Sequence, residues 1–251
     1  MNSINLKTIK NIRDLSYLKT DDGFNIKNKR IIRSGTLSDA SEDDMYFLYV
    51  NYDLRTIVDL RSYSEKYEMP DTIIQDMEFI GITLQKDSYV GVTYDEESKR
   101  KLKEYFDKLD NECKNEEFAK QHMCDFYYSV GYNDATLEGF KEVFKVLLDK
   151  ENCILFHCSL GRDRAGMLCA VILKVLGFSD YVIFEDYLNT NNYLKLDNVV
   201  SYNYSHALRE YIESFFKGIN DKYGSFNEFL KHIGINYNIV KELKNKYLER
   251  K

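Results

Sequence analysis

One stretch of the chain constrains the fold more than any other: a short apolar run, then a loop that contains glycine, then a longer apolar run. Cys153-Ile154-Leu155-Phe156 is typical of a buried strand, because it is short, continuous and apolar. Residues 136–148 before it and Arg164–Leu176 after it have the apolar spacing of helices. Gly177 follows, where a left-handed residue commonly ends a helix. Helix, strand, loop and helix in this order indicate a parallel α/β sheet with a ligand site at the loop.

The remaining pattern predicts one α/β domain that spans residues 1–251. Strand-like runs also lie at residues 30–33, 55–60 and 78–84. Helical spacing is found at residues 41–51, 98–109, 115–130, 182–188, 205–216, 226–233 and 239–248. We therefore expect a central, mostly parallel sheet of about four to five strands flanked by helices, with additional helices towards the C-terminus. The single proline, Pro70, leaves no room for a proline-rich linker.

Composition narrows the classes of function. The net charge of −6 argues against broad nucleic-acid binding, which requires a basic face. Residues 1–15 contain no apolar core of signal-peptide length, and the longest apolar stretch, residues 167–176, is too short to span a bilayer. We expect a soluble, cytoplasmic protein without a membrane span, with export without a signal peptide as the open alternative. The cysteines lack paired close spacing, which predicts reduced thiols rather than disulfides or a zinc site.

The loop itself combines a nucleophile with groups that bind an oxyanion. It reads His157-Cys158-Ser159-Leu160-Gly161-Arg162-Asp163-Arg164-Ala165-Gly166. Backbone N–H groups are expected to curl around a phosphate-sized anion, and the substrate-binding residues that supply them are Ser159, Leu160, Gly161 and Arg162. Arg164 is expected to grip two oxygens through its planar fork, which a lysine could not do. The helix N-terminus and the two arginines favour a thiolate at Cys158.

These groups predict in-line attack of the Cys158 thiolate on a phosphate monoester, which gives a phosphocysteine that water then hydrolyses. Asp163 is the nearest acid that could protonate the leaving oxygen, and Asp59 and Asp87 are the alternatives. His157 is expected to support the loop, either by orienting it and tuning the thiolate or by satisfying a backbone carbonyl. The reaction needs no metal ion and no cofactor.

Asp59 and Arg61 follow a predicted strand, and two interpretations of them stay open. In an open α/β sheet the carboxyl ends of the strands surround the ligand, so both side chains are candidates for facing the site. Alternatively, they form an ion pair that braces the turn. Ser62 and Glu65, directly after them, have the spacing of a helix-capping pair.

Landmarks on both sides of the loop extend the pattern. They are Asn11-Ile12-Arg13-Asp14-Leu15, Arg33-Ser34-Gly35, Asp59-Leu60-Arg61-Ser62, Tyr187-Leu188 with Thr190-Asn191 and Tyr193-Leu194, and Tyr223-Gly224-Ser225. With the loop, they make most of the chain resemble the protein-tyrosine phosphatase superfamily. The closer resemblance is to the bacterial tyrosine/serine phosphatase family, whose loop usually reads His-Cys-x-x-Gly-Lys-Asp-Arg-Thr-Gly.

The resemblance implies a cysteine-phosphatase-like fold and a cysteine-dependent phosphatase. Cys158 would be the nucleophile, Arg164 the phosphate clamp and Asp163 the acid on the loop. The substrate would be a phosphorylated protein or lipid: phosphotyrosine first, with phosphoserine, phosphothreonine and phosphoinositides also within the range of such relatives. Phosphate or sulfate is expected to bind in the loop.

The chain departs from this family at three places. Arg162 stands where lysine is common, which keeps the charge in a bulkier, planar form. Ser16-Tyr17 replaces the Gly-Gly pair after the first landmark. Ala165 replaces a hydroxyl residue that, in the family, helps the thiolate to depart, so hydrolysis of the phosphocysteine is expected to be slow.

Two other functions remain in view at this point. Ala165 fits a phosphate-recognising module that has lost efficient turnover. A sulfurtransferase of rhodanese type also uses a cysteine in an anion-binding loop, although Arg164 and His157 disfavour it.

Overall fold

The computed structural model describes residues 4–84, 96–97, 100–101, 104, 116–194 and 201–250. The strands in this part of the chain are β1 (Arg13–Asp14), β2 (Phe24–Ile26), β3 (Ile31–Ser34), β4 (Leu54–Asp59), β5 (Glu78–Gly81), β6 (Cys153–His157) and β7 (Leu248–Arg250). The first five named α-helices are α1 (Glu42–Tyr52), α2 (Tyr63–Glu68), α3 (Glu116–Tyr132), α4 (Asp134–Asp149) and α5 (Arg164–Leu176). Those nearer the C-terminus are α6 (Asp180–Leu194), α7 (Tyr202–Ser205), α8 (Arg209–Tyr223), α9 (Phe226–His232) and α10 (Tyr237–Tyr247).

Within the described residues, the central sheet has five strands in the order β1-β3-β6-β4-β5. β3, β6, β4 and β5 are parallel, and only β1, at one edge, is antiparallel to its neighbour. β6 lies in the middle, so the loop that follows it opens at the carboxyl edge of the sheet between β3 and β4. This confirms the expected mixed α/β fold with a mostly parallel sheet, and it puts the loop where such sheets bind ligands.

Each face of the sheet packs against its own apolar core. Successive strand residues point to opposite sides, so neighbouring residues of one strand enter different cores. Ile31, Ile154 and Phe156 belong to one apolar core, whereas Ile32 and Leu155 belong to the other. This explains why β6 reads as a continuous apolar run rather than an alternating one. The first core extends over α5, which is buried along nearly all of its length.

The sequence located most elements but misplaced some ends and missed others. α5 and its left-handed C-terminal residue Gly177, with φ of 93°, lie as predicted. β5 ends at Gly81, three residues earlier than predicted, and most of the predicted helix at 98–109 falls outside the described residues. β1, β2 and β7 were not predicted. They are only two or three residues long, and β2 pairs with β7 from the opposite end of the chain, so no local pattern marks them.

Two glycines let α3 and α8 pack against each other at short range. A Cβ atom added at Gly131 would lie 2.1 Å from the carbonyl oxygen of Phe215, and one at Gly218 would lie 2.3 Å from that of Tyr128. The helices therefore touch backbone to backbone, which any larger residue at these two positions would prevent. In the described residues, no helix is long and apolar enough to cross a membrane. A single domain over residues 1–251 stays a prediction.

Candidate active site

The loop leaves β6 at Cys158 and enters α5 at Arg164, and all of it except Ser159 and Leu160 is buried. The Cys158 side chain is 1% exposed and belongs to the first apolar core. α5 is 13 residues long and begins directly at the end of the loop. The unpaired N–H groups of its first turn therefore add positive potential at the loop.

Three consecutive carbonyl groups of the loop are held by donors from the N-terminal part of the chain. The backbone N–H of Thr36 donates to the Ser159 oxygen at 3.0 Å. The Asn11 side-chain amide donates to the Leu160 oxygen at 2.8 Å, and an Arg33 Nη donates to the Gly161 oxygen at 2.7 Å. In a trans peptide the next N–H points opposite to the carbonyl. With these oxygens held on one side, the following N–H groups are turned to the other, concave side of the loop.

Gly161 is required at its position for two reasons. Its φ of 68° lies in the left-handed region, which other residues rarely adopt. In addition, a Cβ atom there would lie 2.3 Å from the carbonyl oxygen of Ser34. The loop therefore rests directly on the backbone that follows β3, and Arg33-Ser34-Gly35 forms the back wall of the anion-binding loop.

Arg164 faces Glu65, the third residue of α2, in a two-point ion pair. Nη1 lies 2.6 Å from one carboxylate oxygen and Nη2 lies 2.9 Å from the other. Glu65 also accepts a hydrogen bond from the Ser159 hydroxyl and caps α2 with Ser62, as the sequence predicted. Burial by itself raises the pKa of Glu65, but the Arg164 guanidinium outweighs it and holds this pKa well below its usual range.

Asp163, at the end of the loop, has both carboxylate oxygens engaged in hydrogen bonds. One oxygen accepts from the Tyr127 hydroxyl at 2.6 Å and from Arg162 Nε at 2.9 Å, and the other accepts from Arg162 Nη2 at 3.1 Å. Arg162 also donates to the backbone oxygens of Tyr204 and Ser205. Its side chain is thus held against Asp163 and α7, so that its contribution to an anion in the loop comes from its backbone N–H.

Asp59 and Arg61 form the ion pair that was one of the two interpretations of these residues. Arg61 Nη2 lies 2.9 Å from Asp59 and 2.9 Å from Asp71. His157 Nε2 lies 3.0 Å from Asp71, although the two groups are not aligned as a hydrogen bond. The ligand atoms of Asp59, Asp71 and His157 lie within 4.8 Å of one another. Since Arg61 already supplies a cation to both carboxylates, this group does not fit a metal ion.

A second buried charge cluster lies behind the loop. Asp186 accepts from Arg13 Nε at 2.9 Å, from Arg33 Nη1 at 2.6 Å and from the Tyr17 hydroxyl at 2.7 Å. Burial raises the pKa of Asp186, but Arg13 and then Arg33 outweigh it and hold this pKa well below its usual range. Two arginines against one carboxylate leave positive charge directly behind the anion-binding loop. Tyr17, which stands where the family pattern has the second glycine of a Gly-Gly pair, is thus part of this cluster.

The other cysteines of the described residues are free thiols, as the sequence predicted. Burial raises the pKa of Cys169, on α5, to about 11. Ala165 is fully buried in the first turn of α5. Asp87, an alternative acid, lies outside the described residues.

Sequence reasoning did not assign Asp71 or Asp186 to the site, it saw Glu65 only as a helix cap, and it gave Asn11 and Tyr127 no defined contact. Asn11 and Arg33 stood within recognised landmarks, so their motif was a signal, but nothing local showed which loop atom they contact. Asp71 and Tyr127 carry no motif, and only the tertiary fold brings them to His157 and Asp163.

Comparisons with known proteins agree with this geometry. The family model described as "Tyrosine phosphatase family" matches residues 4–249. A tyrosine-protein phosphatase of Nostoc commune is 25% identical over 162 residues, which are 64% of this chain and 47% of that protein. The triple specificity protein phosphatase PtpB of Mycobacterium tuberculosis is 23% identical over 151 residues, which are 50% of this chain and 54% of that protein. The chain thus matches about half the length of these two curated relatives.

Among solved structures, the core catalytic domain of the PP-IP phosphatase SIW14 from S. cerevisiae is 15% identical. It aligns over 85% of this chain and 96% of its own, with a TM-score of 0.38. A score this low does not establish a shared fold on its own.

Proposed function

The chain belongs to the tyrosine phosphatase family, and from that premise we propose that it is a cysteine-dependent phosphomonoesterase. The observation that carries the proposal is that hydrogen bonds hold three successive loop carbonyl groups after Cys158 in one orientation. At the other end of the loop, Glu65 holds the Arg164 guanidinium in place. This arrangement suits a tetrahedral dianion, since N–H donors and a guanidinium converge where a thiolate can attack.

In the proposed reaction the Cys158 sulfur forms a bond to phosphorus as the bond to the leaving oxygen breaks. The N–H groups of Leu160, Gly161 and Arg162 and the Arg164 guanidinium hold the equatorial oxygens. Water then attacks the phosphocysteine, which releases inorganic phosphate and regenerates the thiolate. Ser159 contributes through its hydroxyl, which bridges Arg164 and Glu65.

Asp163 is the proposed acid for the leaving oxygen, and its contacts set a condition on that role. All three of its hydrogen bonds in this structure are accepted ones, two of them from Arg162. These contacts fill three of the four lone-pair sites of the carboxylate, so the oxygen that accepts only from Arg162 Nη2 is the one with a free site for the proton that Asp163 would donate. Asp163→Asn is expected to slow the release of poor leaving groups more than that of good ones. Equal losses across leaving groups would move the acid role to another carboxylate, such as Asp87.

His157, Asp59 and Arg61 are proposed to support the site rather than to react. Arg61 forms an ion pair with Asp59. Burial raises the pKa of Asp59, but His157 and Arg61 outweigh this effect and lower the pKa below its usual value, which disfavours Asp59 as the acid. His157 directly precedes the nucleophile and lies against Asp71, so it can hold the start of the loop in place.

The proposed substrate is a phosphorylated protein, with phosphotyrosine as the primary ester. One relative is named a triple specificity phosphatase, which supports testing more than one kind of phosphate ester, and we include phosphoserine, phosphothreonine and phosphoinositides. Turnover of phosphotyrosine, phosphoserine and phosphothreonine peptides and of phosphoinositides should be compared in the presence of a chelator. Cys158→Ser is expected to abolish all activity, and retained activity would exclude Cys158 as the nucleophile. The free cysteines fit our further proposal of a cytoplasmic site of action.

A second candidate function rests on Ala165. Without a hydroxyl group in the first turn of α5, the phosphocysteine could accumulate, and the protein would then act as a phosphate-recognising module. Release of one equivalent of product without further turnover would support this alternative, whereas sustained turnover would exclude it. The family match leaves the sulfurtransferase alternative without support.

A further inference from the structure

We propose that Asn11 and Arg33 are positioning residues for oxyanion binding: their side-chain donors keep the Leu160 and Gly161 carbonyls turned away from the anion. This rests on the proposed function, because it assumes that the concave side of the loop takes the phosphoryl group. Neither residue is proposed to touch the substrate. Each acts through the orientation of one peptide plane in the loop.

The orientation of the Asn11 amide is fixed by a second contact. Its side-chain oxygen accepts from Arg13 Nη1 at 2.5 Å, so its nitrogen faces the Leu160 carbonyl at 2.8 Å. Arg13 can only donate, so the reversed amide would set two donors against each other. The backbone of Asn11 has a φ of 54°, a left-handed conformation that is rare outside glycine, and the residue is 3% exposed. Such strain at a buried residue is common where a side chain must be aimed at one target.

Arg33 is held in an equivalent way. Asp186 takes Nη1 at 2.6 Å, and this directs Nη2 to the Gly161 oxygen at 2.7 Å. Asp186 also binds Arg13, which in turn binds Asn11. The two donors therefore belong to one rigid group, formed by Asn11, Arg13, Arg33 and Asp186.

Loss of either donor would free a peptide plane in the loop. If the plane between Leu160 and Gly161 turned over, a carbonyl oxygen would replace an N–H group on the concave side. The dianion would then lose a hydrogen bond and meet a partial negative charge. The expected effect is therefore on oxyanion affinity, even where the protein remains folded.

Binding of tungstate, a tetrahedral dianion, measured by calorimetry on the full chain, tests this without turnover. Asn11→Asp removes the donor, keeps the shape, and sets a carboxylate oxygen against the Leu160 carbonyl. Asn11→Gly removes the donor while relieving the left-handed strain, so it guards against a variant that fails to fold. Both variants are expected to bind tungstate about tenfold more weakly, the value of one hydrogen bond to a charged group.

Asn191→Asp is the matched control. The Asn191 amide donates to the backbone oxygen of Ala207 at 2.9 Å, which is the same kind of bond to a carbonyl group that is not part of the loop. It should lower the melting temperature about as much as Asn11→Asp does and leave tungstate affinity unchanged. Arg33→Lys keeps the charge but cannot bridge Asp186 and Gly161 in the same geometry, so it should also weaken tungstate binding.

The possible results separate the two proposals. If the wild-type chain binds no tungstate, the proposed function and this inference both fail. If the wild-type chain binds tungstate and folded Asn11→Asp and Asn11→Gly bind it equally well, the inference alone is wrong. Weaker binding in both Asn11 variants, with the Asn191→Asp control unchanged, supports it. For a positioning role, KM for an aryl phosphate should rise in parallel with the loss of tungstate affinity.

Discussion

Arg164 and Glu65 meet in a two-point ion pair, in which the two terminal nitrogens of the guanidinium donate to the two oxygens of the carboxylate. In the described part of the chain, Arg164 Nε has no hydrogen-bond partner. Glu65 thus fixes the plane of the guanidinium from one side and leaves the Nε edge to face an anion. An arginine held in this way loses little freedom when phosphate binds.

Removing the charge of Glu65 tests this relationship. Glu65→Gln keeps the size but provides only one acceptor oxygen, so the guanidinium plane is less well fixed. We expect kcat/KM for an aryl phosphate to fall about tenfold to a hundredfold. Glu68→Gln, an exposed change on the same helix, is the control and should stay within about twofold. Equal activity in the two variants would contradict the positioning role of Glu65.

The stability of the protein should depend on acid pH through Glu65 and Asp186. Their partners hold both pKa values below the ordinary values of 4.5 and 3.8. The unfolded state therefore takes up protons first, so the stability from these pairs is fully present above about pH 5 and is lost as the pH falls towards the folded pKa values. Urea unfolding between pH 7 and pH 3 measures this. Glu65→Gln should flatten the dependence, and an unchanged slope would exclude Glu65 as a source.

The close approach of α3 and α8 predicts an unusually costly alanine substitution. In Gly131→Ala the new Cβ atom would lie 2.1 Å from a backbone oxygen, so the helices must move apart. We expect a loss of about 3 kcal/mol in the free energy of unfolding, typical of severe overpacking. Gly234→Ala is the control, because its φ is 80° but nothing lies within 4 Å of the new atom. There we expect about 1 kcal/mol, from the backbone conformation alone. Similar losses in both variants would contradict the close packing.

Ala165→Ser tests whether the missing hydroxyl group limits turnover. A hydroxyl in the first turn of α5 can donate to the departing Cys158 thiolate, which makes the thiolate a better leaving group. We expect hydrolysis of the phosphocysteine to accelerate about tenfold, equivalent to about one hydrogen bond gained in the transition state. Pre-steady-state kinetics should then show a smaller burst and a faster steady state. Ala170→Ser adds a hydroxyl elsewhere on α5 and should leave both unchanged, and the absence of any difference between the variants would show that another step is limiting.

The sequence was sufficient for the parts of the site that are local in the chain. β6, the loop and α5 follow each other directly, so apolar spacing and one glycine at the helix end were enough to place them. The capping pair Ser62 and Glu65 was predicted from its spacing alone.

The missed parts depend on contacts between distant residues. That Glu65 grips Arg164 follows from the neighbouring positions of β4 and β6 in the sheet, which no local pattern encodes. No local pattern encodes the hydrogen bond from Tyr127, on α3, to Asp163 either. Arg162 was expected to favour the Cys158 thiolate through its charge, but Asp163 and a carbonyl group of α7 hold its side chain.

The contacts that shape the loop join residues 149 and 128 positions apart in the chain, from Asn11 to Leu160 and from Arg33 to Gly161. Contacts over such separations form slowly, since much of the chain must already be ordered. A peptide with the sequence from His157 to Gly166, or the same segment grafted onto another strand-helix turn, should therefore lack the anion-binding shape. During refolding, tungstate binding should be among the last properties to return, after the sheet has joined β3 to β6.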